Sequence, residues 1–383
     1  MNNGDQLMPA THGHELFRPR SALWWTYLIL GVALATAFIS TSSPIIAEVK
    51  TSILTFLPFY AITGGIFAKV MLTADPYRAR RPWVIFAALG AGASLTLYPA
   101  MMANSIYPYI LPHVLGEQAA LDWMPALAGP TSEEWTKMIA IVLVMLLARQ
   151  TTTRPMHGLM VGGFVGLGFQ LVENVSYGLA GALQSPVDDF TQATTTNVMR
   201  FVIGFTSHNV YSAIVGVGVA ILLRRTVDTH RTAAQRVLGF VGFYTLGWFA
   251  HFLWNSPPLG DTGPLVLASL LGKALTILGI FFLVLRWVWR QERRYLEQAA
   301  LATQSSSPDG PFPLTDLQKA AIGPRKTRRT YLKEVRAAGR RPAVKKARAE
   351  MRTYLDHLQA WDRRGTGIDE HPRTPSTPAP STR

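Results

Sequence analysis

The chain has no cysteine, so it holds neither a disulfide framework nor a thiolate-ligated metal. Charge is scarce as well. Only 16% of the 383 residues are Asp, Glu, Lys or Arg, against about 25% in soluble domains. The charge is also unevenly placed. From residue 288 onward there are 20 Lys+Arg and 10 Asp+Glu, so that stretch carries +10 of the net +14. No internal repeat is visible. What remains in the first 287 residues is a series of apolar runs.

A helix needs about 20 mostly apolar residues to cross a bilayer core. On that criterion eight spans are expected: 23–40, 52–73, 83–104, 130–148, 157–182, 201–223, 237–256 and 264–288. Backbone groups in lipid must be satisfied within the segment, so an all-α polytopic membrane helix bundle is the expected fold. The first run follows a 22-residue leader with Arg18 and Arg20 and reads as an uncleaved span rather than a signal peptide. The spacing Gly162-x-x-x-Gly166 in the fifth span suits close helix approach. The loops at 74–82, 149–156 and 224–236 hold nine Arg, whereas the opposite set at 41–51, 105–129, 183–200 and 257–263 holds only Lys50 and Arg200. The positive-inside rule then puts both termini in the cytoplasm of a multi-pass cell-membrane protein. The acidic pair Asp188 and Asp189 falls on the outer side.

The organisation expected along the chain is a cytoplasmic segment 1–22, a membrane core 23–288, a linker 289–314, a basic and partly helical cytoplasmic segment 315–364, and a disordered tail 365–383. The basic segment should sit against anionic lipid. Nothing beyond its charge points to nucleic acid.

Ionisable groups at mid-span cost about 2.5–3.5 kcal/mol each on insertion scales, and this chain has several. The fourth span opens Pro130-Thr131-Ser132-Glu133-Glu134 and continues to Lys137; the fifth holds Phe169, Glu173, Asn174 and Tyr177; the sixth begins at Arg200 and holds His208-Asn209; the seventh holds His251 and Asn255; the eighth holds Lys273. Counted at 1.5 Å per residue, these groups all fall in the outer half of their spans, which suggests one shared, outward-opening polar cavity. Residues four apart share a helix face, as do Glu133 with Lys137 and His251 with Asn255. Blander readings exist for each. Thr131-x-x-Glu134 is also a capping box at a helix start, Lys137 and Lys273 could serve only to neutralise acids, a lone histidine can be a packing residue, and Arg200 reads as an interface anchor.

The set Glu133-Glu134-x-x-Lys137, Phe169-x-x-x-Glu173-Asn174, His208 and His251-x-x-x-Asn255 resembles the PrsW family of intramembrane proteases, within the wider CAAX-protease and bacteriocin-processing superfamily. The resemblance covers about residues 130–255, one motif per span. The wider superfamily more often has His in place of Glu173 and a longer spacing from the Glu pair to the basic residue; both departures point to the PrsW branch. The resemblance implies hydrolysis of a peptide bond in a membrane-spanning protein substrate, of which an anti-sigma factor is the best-known type.

Peptide hydrolysis needs an activated water, a proton donor and an oxyanion site. Glu133 suits the general base, since shielding from bulk water makes a carboxylate a stronger base. Glu134 and Glu173 would orient the histidines, His208 would polarise water or protonate the amine, and His251 with Asn255 would hold the oxyanion. A metal version is open: Glu133, Glu173, His208 and His251 are adequate ligands for a divalent ion such as Zn²⁺. The compact His-Glu-x-x-His zinc motif is absent, and the residues alone favour the metal-free version. A proton- or ion-coupled transporter and an inert membrane scaffold are the competing classes. The transporter is disfavoured because few polar residues are expected in the inner half of the spans.

Removing residues 305–383 is expected to leave proteolysis intact while changing regulation or abundance. A truncated protein without any cleavage would make the tail part of the core.

Overall fold

A computed structural model of the chain describes residues 16, 18–48, 50–183, 189–227, 230–305, 313–339 and 341–365. Most of the leader 1–22, Asp188, the Ser/Pro-rich stretch 306–312 and nearly all of the expected disordered tail lie outside the described residues. The chain divides into two units, Met1–Glu292 and Arg293–Arg383.

The first unit is a helix bundle: α1 (Ala22–Glu48), α2 (Lys50–Leu72), α3 (Pro82–Ala91), α4 (Leu97–Asn104), α5 (Tyr107–Leu115), α6 (Glu117–Leu147), α7 (Pro155–Leu183), α8 (Asp189–Ile203), α9 (His208–Leu222), α10 (Ala233–Asn255) and α11 (Gly263–Ser305), which runs on into the second. A π-turn at Gly92–Thr96 joins α3 to α4. By length and composition, seven helices among the described residues can cross a membrane. The eighth expected span lies in α6, which has the length but carries Glu133, Glu134 and Lys137 in its apolar half. Large apolar side chains such as Leu57, Phe86, Leu275 and Phe282 point outward, as lipid-facing positions do. The interior is built from α7 and α9, whose residues are nearly all buried.

Three expectations are corrected. The fourth helix does not start at Pro130. It begins at Glu117 and carries Pro125 and Pro130 inside it, and α5 fills much of the rest of the expected 105–129 loop. Membrane helices tolerate internal proline, and the Asn255 amide braces this segment by donating to the Pro125 carbonyl at 3.0 Å. Thr131 is therefore not a helix cap, and its hydroxyl donates back to the Leu127 carbonyl at 2.7 Å. Residue 130 consequently marks no membrane boundary from which to count the depth of Glu133. The sixth span is broken: α8 passes through a 3-10 turn at Gly204–Thr206, and α9 restarts at His208 after an extended Ser207. The freed carbonyls accept side-chain donors, Gly204 from Gln170 at 3.2 Å and Thr206 from the Tyr211 hydroxyl. Finally, α11 continues to Ser305, so helix occupies much of the stretch expected as a linker.

The expected glycine contact is present and extends further than one motif. A Cβ at Gly158, Gly162 or Gly166 of α7 would collide with the carbonyls of Gly216, Ser212 and His208 on α9 respectively. Small residues let two membrane helices approach to backbone contact. The third of these contacts sets α7 directly against the residue that begins α9.

At the end of the bundle where the loops 74–81 and 149–154 meet, Arg154 makes a buried double hydrogen bond to Glu292, with Nε to Oε2 at 3.0 Å and Nη2 to Oε1 at 3.2 Å. The His157 ring bonds to the Ala79 carbonyl at 3.0 Å. Burial raises the pKa of the nearby Asp75 carboxyl, which accepts from the Arg80 amide at 2.8 Å.

The second unit contains α12 (Asp316–Ile322), α13 (Arg325–Ala338) and α14 (Arg341–Gly365). Thr315 and Gln318 form a reciprocal cap at the start of α12. The buried seam comprises Ala320, Ala321 and Ile322 of α12 with Val344, Ala347, Met351, Leu355 and Leu358 of α14.

Gly162→Leu should destabilise the bundle by about 1–3 kcal/mol through overpacking, read as a lower melting temperature in detergent. Gly272→Ala, in α11 with open space around its Cα, should be neutral or slightly stabilising. Equal melting of the two variants would show that the α7–α9 contact is not tight.

Candidate active site

Four helices bring their polar residues to one buried cluster. Glu133, Glu134 and Lys137 come from α6, Glu173 and Asn174 from α7, His208 and Ser212 from α9, and His251 from α10; all eight are buried. Glu134 and Lys137 have no exposed surface.

Lys137 sits at the centre. Its Nζ lies 2.7 Å from Glu134 Oε1, 3.5 Å from Glu133 Oε2 and 2.9 Å from His208 Nδ1. The Phe169 ring packs 4.2 Å from the same ammonium and meets the His208 ring edge-on at 4.8 Å.

The hydrogen bonds define the histidine tautomers. An ammonium can only donate, so His208 Nδ1 presents a lone pair to Lys137, and Nε2–H donates to Glu173 Oε2 at 2.9 Å. The Asn255 amide nitrogen also only donates. It gives one N–H to the Pro125 carbonyl and the other to His251 Nε2 at 3.2 Å. His251 Nε2 therefore presents a lone pair, and Nδ1–H donates to Glu134 Oε1 at 3.0 Å. Ser212 donates to the other Glu134 oxygen at 3.2 Å. Each imidazole thus has its own carboxylate behind it and a lone pair in front.

Lys137 and Asn255 engage those two lone pairs, and both nitrogens lie near Glu133. Its Oε2 lies 3.6 Å from His208 Nδ1 and 3.9 Å from His251 Nε2. That oxygen is buried and has no hydrogen-bond partner. Donor atoms of Glu133, His208 and His251 all lie within 4.8 Å of one another. Glu173 stands outside this triad, because Arg200 and His208 Nε2 both engage its Oε2.

Whether these residues suit a divalent metal can be judged from the donors themselves. Two imidazole nitrogens and one carboxylate oxygen are an ordinary set for zinc, with carboxylates behind the histidines fixing the tautomers. Three carboxyl groups (Glu133, Glu134, Glu173) share two cations, with Lys137 between Glu133 and Glu134 and Arg200 on Glu173. A Glu133 oxygen that accepts no hydrogen bond, with two imidazole nitrogens within 3.9 Å of it, fits a cation at the triad. The lone pair that Lys137 engages on His208 is the one such an ion would take.

Not every sequence expectation survives. Arg200 is not an interface anchor: its guanidinium pairs with Glu173, donates to Asn174 Oδ1 at 2.8 Å and stacks 4.1 Å from the Tyr177 ring. Lys273 pairs with no acid among the described residues. It donates to the Ser256 and Pro257 carbonyls beyond the end of α10. Lys137 does neutralise acids but also contacts a histidine. Tyr211 and Ser212 were not anticipated. Tyr211 stacks on His251, ring centroids 4.8 Å apart and planes 18° apart. The signal was available, since both lie one helical turn beyond His208.

A buried, carboxylate-backed His/His/Glu centre within a bundle of membrane-length helices defines a class, that of polytopic membrane proteins with a hydrolytic type of centre. Residues 80–289, more than half of the chain, match the model of the PrsW family, described as intramembrane metalloproteases. The chain belongs to the PrsW family of intramembrane metalloproteases. No curated protein and no solved structure matches it.

Lys137→Met should cost about 3–5 kcal/mol, because it leaves two buried carboxylates without their shared cation. Thermal unfolding in detergent checks this. A melting temperature equal to that of the wild type would show that the cluster does not depend on this charge.

Proposed function

We propose that the chain is an endopeptidase that hydrolyses a peptide bond of a membrane-associated protein, an anti-sigma-factor-like protein being one candidate, near the outer face of the cell membrane. The observation that supports this most is the meeting of the Glu133 Oε2 atom and two imidazole lone pairs at one buried point. The Arg-rich loops at 74–82 and 149–156 support a cytoplasmic placement of their end of the bundle, and of both termini.

Held by Glu133, His208 and His251, a divalent ion such as zinc would supply Lewis acidity to the attacking water and the scissile carbonyl. The residues alone favoured a metal-free reaction. The Glu133 oxygen that accepts no hydrogen bond and the two imidazole nitrogens near it favour the metal-assisted one, in which an ion would displace Lys137 and Asn255 from those nitrogens. Glu133 acts as general base: one carboxylate oxygen takes the proton of the attacking water and passes it to the leaving amine. Glu173 holds His208 through Nε2–H and Glu134 holds His251 through Nδ1–H, which keeps both lone pairs aimed inward. Asn255 has both amide hydrogens engaged, so it positions His251 rather than binding the oxyanion. Lys137 is the charged donor nearest the triad and takes the oxyanion role instead.

Glu133→Gln should keep the fold and lower cleavage of a reconstituted membrane substrate by about 10²–10⁴-fold. Full activity in this variant contradicts the base assignment. Chelator treatment of the wild type should abolish cleavage and zinc should restore it; activity that persists without metal contradicts the metal-assisted version.

A further inference from the structure

The second unit carries a charged cavity that proteolysis does not use. It has a volume of about 420 Å³ and is lined by Arg336 of α13 and by Arg341, Val344, Lys345, Arg348, Ala349 and Arg352 of α14. The four α14 cations recur at intervals of four, three and four residues and so form one stripe along the helix. The stripe runs beside the apolar seam of Val344, Ala347, Met351 and Leu355 that anchors α14 within its unit. Arg341 is the first residue of α14, so the cavity reaches the positive end of a 25-residue helix.

Five cations line this cavity, no acid lines it, and none of the five makes an ion pair among the described residues. Of the acids of α14, Glu350 is on the opposite side of the helix, 3.9 Å from Lys346, and Asp356 lies one turn beyond Arg352, outside the lining. A solvated basic face needs no concavity, and it tolerates interspersed acids. All five cations are exposed, so solvent screens part of their mutual repulsion, and an anion held in the hollow would relieve the rest. Guanidinium groups match phosphate oxygens two at a time, and the volume is in the range of small-ligand sites, about 300–1,000 Å³.

We propose that this cavity binds a phosphate-bearing anion, with Arg336, Arg341, Lys345, Arg348 and Arg352 as its donors. The phosphate belongs either to an anionic lipid headgroup or to a small soluble phosphate compound. The site is independent of the proteolytic reading and stands if that reading fails.

The absence of native cysteine allows a single fluorescent label at Thr353→Cys, an exposed position one residue beyond the stripe. Full-length labelled protein in phosphatidylcholine nanodiscs is titrated with inorganic pyrophosphate; in a second arm the nanodiscs contain phosphatidylglycerol and no phosphate is added. A saturable response is expected in at least one arm. The first arm alone identifies a soluble phosphate, and the second identifies a headgroup. The pair Arg348→Gln/Arg352→Gln should weaken that response about tenfold or more. The pair Lys333→Gln/Lys346→Gln, which removes the same charge outside the cavity, should change it less than about twofold. Equal weakening by both pairs means diffuse charge rather than a site and overturns the proposal. So does the absence of a saturable response in both arms. Single-stranded RNA that binds more tightly than either probe, with no effect of the cavity pair, overturns it as well.

Discussion

Three carboxyl groups and Lys137 lie buried among membrane-length helices, with the half-buried Arg200 at their edge and mainly one another as solvent. Every other feature of the core follows from that constraint. An isolated charge at this depth would be ruinous, whereas a paired and hydrogen-bonded set is tolerable. Lys137 therefore serves two carboxyl groups, Arg200 serves a third, and the imidazoles share the oxygens that these cations engage. The arrangement requires α6, α7, α9 and α10 to meet at one level. The glycine face of α7 makes this possible by admitting the α9 backbone where His208 begins. Packing and chemistry are thus one problem: the contact that brings α7 to α9 also brings Glu173 to His208.

The broken helix serves the same end. A continuous span from α8 into α9 would give His208 no special position. The turn at Gly204–Thr206 and the extended Ser207 put it at a helix start, with Gln170 and Tyr211 satisfying the exposed carbonyls. Irregular backbone survives at membrane depth only where protein buries it. Here the bonding side chains come from α7 and α9, two of the four helices that carry the site.

Much of this was legible beforehand. Apolar runs located the spans because hydropathy is a local property, and Gly162-x-x-x-Gly166 reported a real contact because glycine spacing is local too. The residues Glu133, Glu134, Glu173, His208 and His251 stood out because each is costly in lipid on its own. What local pattern could not supply was partnership. Pro130 read as a helix start because proline suits a first turn, and nothing local shows that the helix already runs through it from Glu117. Arg200 read as an anchor and Lys273 as a counter-ion because charge shows only that a partner is needed, not which one. The metal question turned on an oxygen with no partner, which no sequence displays.

The central claim is that Glu133, His208 and His251 form one centre that takes a divalent ion. X-ray absorption spectroscopy of the purified protein loaded with one equivalent of zinc tests it most directly. The account predicts a site with two imidazole nitrogens and carboxylate oxygen, reduced to one imidazole in His251→Ala. A zinc site unchanged in that variant, or no bound zinc in the wild type, would contradict it.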